Sequence, residues 1–88
     1  MKKTYLISYD LAEGGDYEEL YKAIKAYGTW AHITESLYAI ATEQSASEIR
    51  ENLSPLLIKG SKLFIVKSGT EAAWRNVICS NEWLKKNL

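Results

Sequence analysis

Asp10 is the side chain of this sequence best placed to do chemistry. It closes the apolar run Tyr5-Leu6-Ile7-Ser8-Tyr9-Asp10 just before the chain breaks into Glu13-Gly14-Gly15. A carboxylate at the mouth of a buried strand is costly if left dry and unpaired, so it must face solvent, a partner or a metal. As chemistry, Asp10 reads as a hard-cation ligand: a magnesium ion held there with several waters could attack a phosphodiester. Ser8 would add an oxygen ligand or a phosphate contact. A single carboxylate without an evident base is thin apparatus for hydrolysis. The competing account has Asp10 capping the Gly14-Gly15 loop or the nearby helix start, and Ser8 bonding across a dimer interface.

Aromatic side chains form the second set. Tyr9, Trp30, Tyr38 and Trp74 fall at strand ends or loops, where flat rings could stack on a nucleobase. Trp74 is followed by Arg75, so one could stack while the other holds a phosphate; the plainer account is a C-terminal flap stapled to a sheet. Tyr17, Tyr21 and Tyr27 recur at helical spacing and read as core or dimer contacts. His32, the only histidine, has no neighbours with which to build a metal site and reads as packing. Gly14-Gly15 lacks the spacing and the lysine of a phosphate loop and reads as a turn. Cys79 has no activating cation beside it and reads as an inert thiol.

The chain has 88 residues and reads as one domain, small enough that folding leaves apolar surface over and favours a dimer. Basic and acidic residues balance at net charge zero, so no global field draws it to nucleic acid or to an anionic membrane. One cysteine excludes an intrachain disulfide and a cysteine-rich zinc site. The segment after Met1-Lys2-Lys3 is too short and polar for a signal peptide, and no stretch is apolar enough to span a bilayer. The expected compartment is the cytoplasm, with no membrane partner.

Positioning these residues takes six elements. After the first strand, Asp16 and Glu19 open a helix carrying Tyr17, Leu20, Tyr21, Ile24 and Tyr27, which Gly28 ends. Thr29–Ile33 and Leu37–Thr42 read as a hairpin across Thr34-Glu35-Ser36. Ser45 and Glu48 cap a second helix with Ala46, Ile49 and Leu53 on one face, broken at Ser54 before Pro55. Lys62–Lys67 is the last core strand, followed by a turn at Glu71–Trp74 and a short helix from about Ser80. The order βαββαβ with right-handed crossovers predicts an α+β, ferredoxin-like fold: a four-stranded antiparallel sheet, both helices on one face, and a short C-terminal helical extension. The opposite face then needs the C-terminal segment or a second subunit to cover it, and a homodimer through that face or a strand edge is expected.

Several of these segments together, namely Ile7-Ser8-Tyr9-Asp10-Leu11, Ala26-Tyr27-Gly28 with Trp30, Glu35-Ser36-Leu37-Tyr38, Ser47-Glu48-Ile49-Arg50, and Lys62–Lys67 before Glu71-Ala72-Ala73-Trp74, resemble the SinR-like proteins over nearly the whole chain. More distantly, the element order and the Tyr-Asp ending of the first strand are similar to the small CRISPR-associated protein of the spacer-acquisition complex, the second Cas protein. That resemblance implies a ferredoxin-like homodimer in which the two Asp10 side chains face each other and serve a metal-dependent nuclease. The first helix carries Lys22 and Lys25 rather than a run of arginines, which with zero net charge disfavours long duplex DNA. The expected function is therefore a homodimeric module that binds a nucleotide or short nucleic acid without robust catalysis. The alternatives are a magnesium-dependent nuclease using paired Asp10, and a protein-binding adaptor or toxin-antitoxin-like component that docks through a sheet edge.

Overall fold

The computed structural model describes all 88 residues. In chain order they form β1 (Lys3–Asp10), α1 (Tyr17–Lys25), β2 (Thr29–Thr34), β3 (Leu37–Thr42), α2 (Ala46–Leu53), a 3-10 turn at Ser54–Leu56, β4 (Lys62–Lys67) and α3 (Asn81–Asn87). The strands lie in the order β2-β3-β1-β4, every neighbouring pair antiparallel. Leu20 and Ile24 of α1 and Ile49 and Leu53 of α2 pack with Tyr5, Ile7 and Tyr9 of β1, so both helices cover one face. This is the ferredoxin-like arrangement, extended by α3.

Local chemistry sets the helix starts. The Glu19 N–H donates to Asp16 Oδ1 at 3.2 Å. Ser45 and Glu48 form a reciprocal box, Glu48 N–H to Ser45 Oγ at 3.2 Å and Ser45 N–H to Glu48 Oε1 at 2.9 Å. Ser80 Oγ accepts from the Trp83 N–H at 3.1 Å. The α1 helix closes at Lys25, and Gly28, at φ 93°, supplies the left-handed residue that turns the chain into β2. Pro55 enters directly after α2, which gives way to the 3-10 turn there, as its missing donor requires.

Strand alternation decides what each face carries. Tyr5, Ile7 and Tyr9 face the helices, with Tyr38 and Ile40 of β3 beside them in the same core. Thr4, Leu6, Ser8 and Asp10 face the other way. The C-terminal segment covers the first half of that second face: Leu84 is buried on Ile33 and Ala39, with Leu6, Leu37 and Trp74 packed around them. Thr4 Oγ1 donates to the Asn87 carbonyl, the Ser68 N–H donates to the Thr4 carbonyl at 2.8 Å, and the Ile78 N–H donates to the Ile33 carbonyl at 2.9 Å. Beneath this segment lies an apolar cavity of about 170 Å³ walled by Leu6, Ile33, Leu37, Ala72, Ala73, Trp74, Leu84 and Leu88.

The second half stays bare. Ser8 and Asp10 are exposed there, and beside them on β4 Phe64 is 63% and Val66 41% exposed. The tail differs from expectation in one respect: Glu71–Trp74 makes no turn, and the chain bends instead at Arg75-Asn76, where Asn76 takes φ 56°, and at Ile78-Cys79. Asparagine tolerates that left-handed conformation better than the residues around it. No helix is long and apolar enough to cross a membrane.

Candidate functional site

Six rings converge on the helix-covered face, towards the β2 edge. Tyr9 of β1 is buried at their centre, its ring centroid 6.2 Å from Tyr17, 5.9 Å from Tyr21 and 6.1 Å from Tyr38. Tyr38 of β3 lies 5.6 Å from Tyr21 and 6.0 Å from Trp30, and stacks on His32 at 4.4 Å and 9°. Two short-range rules build the cluster. Tyr17 and Tyr21, one helical turn apart, share a face of α1, while Trp30 and His32, two residues apart, share a face of β2.

The inner end of the cluster is fastened to one peptide. Tyr9 Oη donates to the Glu35 carbonyl at 2.9 Å, and His32 Nε2 lies 3.3 Å from the same oxygen. A carbonyl only accepts, so Nε2 carries the His32 proton and Nδ1 is left as the acceptor in the neutral ring. The Leu11 N–H donates to Tyr17 Oη at 3.2 Å, tying the β1 exit to α1. At the outer end, Trp30 is 37% exposed, and Lys25 Nζ sits 4.9 Å from its ring centroid. Lys22 and Lys25 occupy the last turn of α1, where the helix dipole favours cations, and with Glu18, Glu19 and Tyr21 they line a shallow groove.

Burial raises the Tyr9 phenol well above its ordinary value of 10.0, helped by the neighbouring phenols, Tyr21 first. Burial also raises Tyr38, with Tyr21 and then Glu18 adding to it. Both rings stay protonated at neutral pH and act as packing and hydrogen-bonding groups, not bases. The linkage has a definite sign. Above about pH 10 the unfolded chain sheds these protons and the native state keeps them, so native stability is fully present below that pH and falls as pH rises further. Thermal melts between about pH 8 and pH 12 should show this decline. Tyr9→Phe should flatten it, and an equal alkaline slope in that variant would remove Tyr9 as its source.

The residues singled out in the sequence fall in three places. Tyr9, Trp30 and Tyr38 meet in the ring cluster, but Tyr9 and Tyr38 are only 2% exposed and their faces are taken by other rings. They cannot serve as stacking platforms, because strand alternation turns them into the core; of these three only Trp30 offers a ring to solvent, and elsewhere in the cluster Tyr17 is exposed to the same degree. Trp74 lies beyond the sheet, on the opposite face. Its indole N–H donates to Asn81 Oδ1 at 3.0 Å, which is the stapled flap, and it shares no cleft with Trp30. Arg75 is exposed in the bend that follows. Ser8 and Asp10 stand together on the bare half-face, where Asp10 faces Lys62 in register.

Asp10 caps nothing. Asp16 caps α1, and the Gly14-Gly15 loop closes on itself through the Gly15 N–H to the Ala12 carbonyl at 2.9 Å. No group of three or more His, Cys, Asp or Glu side chains is placed to hold a metal, so an ion at Asp10 would need ligands from another molecule. Burial raises the Cys79 thiol, which removes it further from reactivity. From sequence, Tyr17, Tyr21 and His32 read as packing and Lys25 only as a charge of the first helix; what links them is the helical step in α1 and the strand step in β2. Comparison with protein-family models, curated proteins and solved structures finds no match to this chain.

Proposed function

We propose that the protein is a homodimeric module that binds a nucleotide or a short nucleic acid and has no robust catalysis of its own. The observation that carries this is Trp30, a partly exposed indole at the lip of the ring cluster with Lys25 over it, and with Lys22 in the same last turn of α1. A base stacks on a ring of any identity, and a lysine supplies a point charge for phosphate, so this pairing suits a stacked base with its phosphate towards the C-terminal end of α1. Lys25 already lies over the indole, so an incoming base displaces it and the freed ammonium turns to the phosphate. Glu18 and Glu19 at the other end of the groove set the polarity. The more distant resemblance to the second Cas protein also implies a small homodimer.

One observation favours a second reading, the magnesium-dependent nuclease. Ser8 and Asp10 share the bare half-face with Phe64 and Val66, so two copies laid face to face there would bring the Asp10 carboxylates together. A single experiment separates the readings. Purified protein is mixed, with and without magnesium, with single-stranded, double-stranded and mononucleotide pools, then read by native mass spectrometry for retention and by gels for cleavage. Retained, uncleaved ligand at a fixed ratio to protein is the expected result. Magnesium-dependent cleavage that disappears in Asp10→Asn would replace it with the nuclease, and neither retention nor cleavage would move the reading to an adaptor with a protein partner.

A further inference from the structure

No backbone hydrogen bond reaches β4 from outside the sheet; the opposite edge, β2, is bonded at its end, where the Ile33 carbonyl takes the Ile78 N–H, and β4 is set apart by the bare pair Phe64 and Val66 on its face. Because the Ser68 N–H bonds to the Thr4 carbonyl, steps of two along the ladder make Leu6 with Val66, Ser8 with Phe64 and Asp10 with Lys62 its hydrogen-bonded pairs. The N–H and C=O groups of Leu63, Ile65 and Lys67 therefore point outward from the sheet. Such an edge, carrying Phe64 and Val66 bare beside it, is a template for another strand.

We infer that the strand it takes is β4 of a second copy, antiparallel, about a two-fold axis through Ile65. This rests on the homodimer proposed above and says how it is joined. In that register Ile65 pairs with its own copy and Leu63 with Lys67, so every outward-pointing group on both edges is satisfied. Phe64 of each copy meets Val66 of the other in the close, non-hydrogen-bonded positions. Lys67 comes opposite Leu63 and Lys62 opposite Ser68, so no two ammonium groups face each other, and a net charge of zero adds no overall repulsion. The exposed parts of the two Phe64 rings, at 63% each, account for about 250 Å². A specific dimer needs roughly 1,000 Å², so the strand edges, Val66 and the groove beside Ala46 and Arg50 of α2 must supply the rest. The assembly is therefore a weak, concentration-dependent dimer.

Two consequences bear on function. In the resulting eight-stranded sheet the Asp10 residues sit at opposite ends of two strands with both β4 strands between them, too far apart to share an ion. The two Trp30 sites lie on the same side at the outer edges, seven strand spacings or roughly 34 Å apart, so the dimer presents two ligand sites in one direction. The test uses Phe64→Cys and Val66→Cys, each with Cys79→Ala. Under mild oxidation a mixture of the two should give a cross-linked heterodimer, while each alone stays uncross-linked. Lys67→Pro, which removes an outward N–H, should raise the monomer–dimer midpoint roughly tenfold or more with unchanged circular dichroism. Efficient self-cross-linking of Phe64→Cys, or a monomeric mass at every concentration, would overturn the inference. Nucleotide retention by the parent protein is measured alongside: a parent dimer that binds nothing removes only the ligand reading, and a parent that binds ligand as a monomer removes only the pairing.

Discussion

Tyr9→Ala should cost the fold about 3–5 kcal/mol, the loss for emptying a buried aromatic site. The ring is 2% exposed and touches Tyr17, Tyr21 and Tyr38, so three neighbours lose a partner and the Glu35 carbonyl loses its phenol donor. Stabilities of roughly 0.05–0.15 kcal/mol per residue put the whole 88-residue chain at about 4–13 kcal/mol, so this one truncation takes much of the margin. Urea denaturation should show a midpoint lowered by a molar or more, at about 1–3 kcal/mol per molar. Tyr9→Phe keeps the ring and loses only the hydroxyl, and should cost about 1–2 kcal/mol. A Tyr9→Ala variant as stable as the parent would mean that the ring is not core, and would restore it as a ligand platform.

Trp30→Ala tests the opposite role. Base–aromatic stacking contributes about 1–3 kcal/mol per base, so ligand affinity should fall roughly 5- to 150-fold. The indole is partly exposed at the rim of the cluster, and its loss should cost stability only about 1 kcal/mol. Trp30→Phe should recover part of the affinity, which separates stacking from a structural role. Titrating the retained nucleotide by fluorescence or native mass spectrometry at two salt concentrations gives both numbers, and Lys25→Ala should weaken the salt dependence. Equal affinities in Trp30→Ala and the parent would move the ligand away from the β2 edge.

Much of the architecture was legible because its signals are local. Asp16 with Glu19, Ser45 with Glu48, and Ser80 each announce a helix start within three residues, and Pro55 announces an end. The site was less legible because its signals are parities. Tyr9 and Asp10 are neighbours in sequence and point to opposite sides of the sheet, so the strand-end residues that could contact a ligand divide into a core, a bare face and a flap. Alternation along β1 already contains that division, since Tyr9 follows Tyr5 and Ile7 into the helix layer. Which of two covers would take the second face was not written locally. The answer depends on Leu84 and Trp74 reaching back from the segment after β4, and Glu71-Ala72-Ala73 has too little turn chemistry to show where that segment bends.

β1 lies at the centre of the sheet although it is made first. Its two flanking strands are β3 and β4, and the register that joins Asp10 to Lys62 closes a long loop of chain. During synthesis from the N-terminus, β1 can acquire β3 early but must wait for β4, and until Lys62–Lys67 emerges one of its edges has no partner. Such long-range closure is slow, and an unpaired edge beside Leu6 and Ile7 is prone to wrong pairing while it lasts. The vulnerable moment in the life of this protein therefore falls between the emergence of β3 and that of β4, and a chain released in that interval would be the species most prone to aggregate.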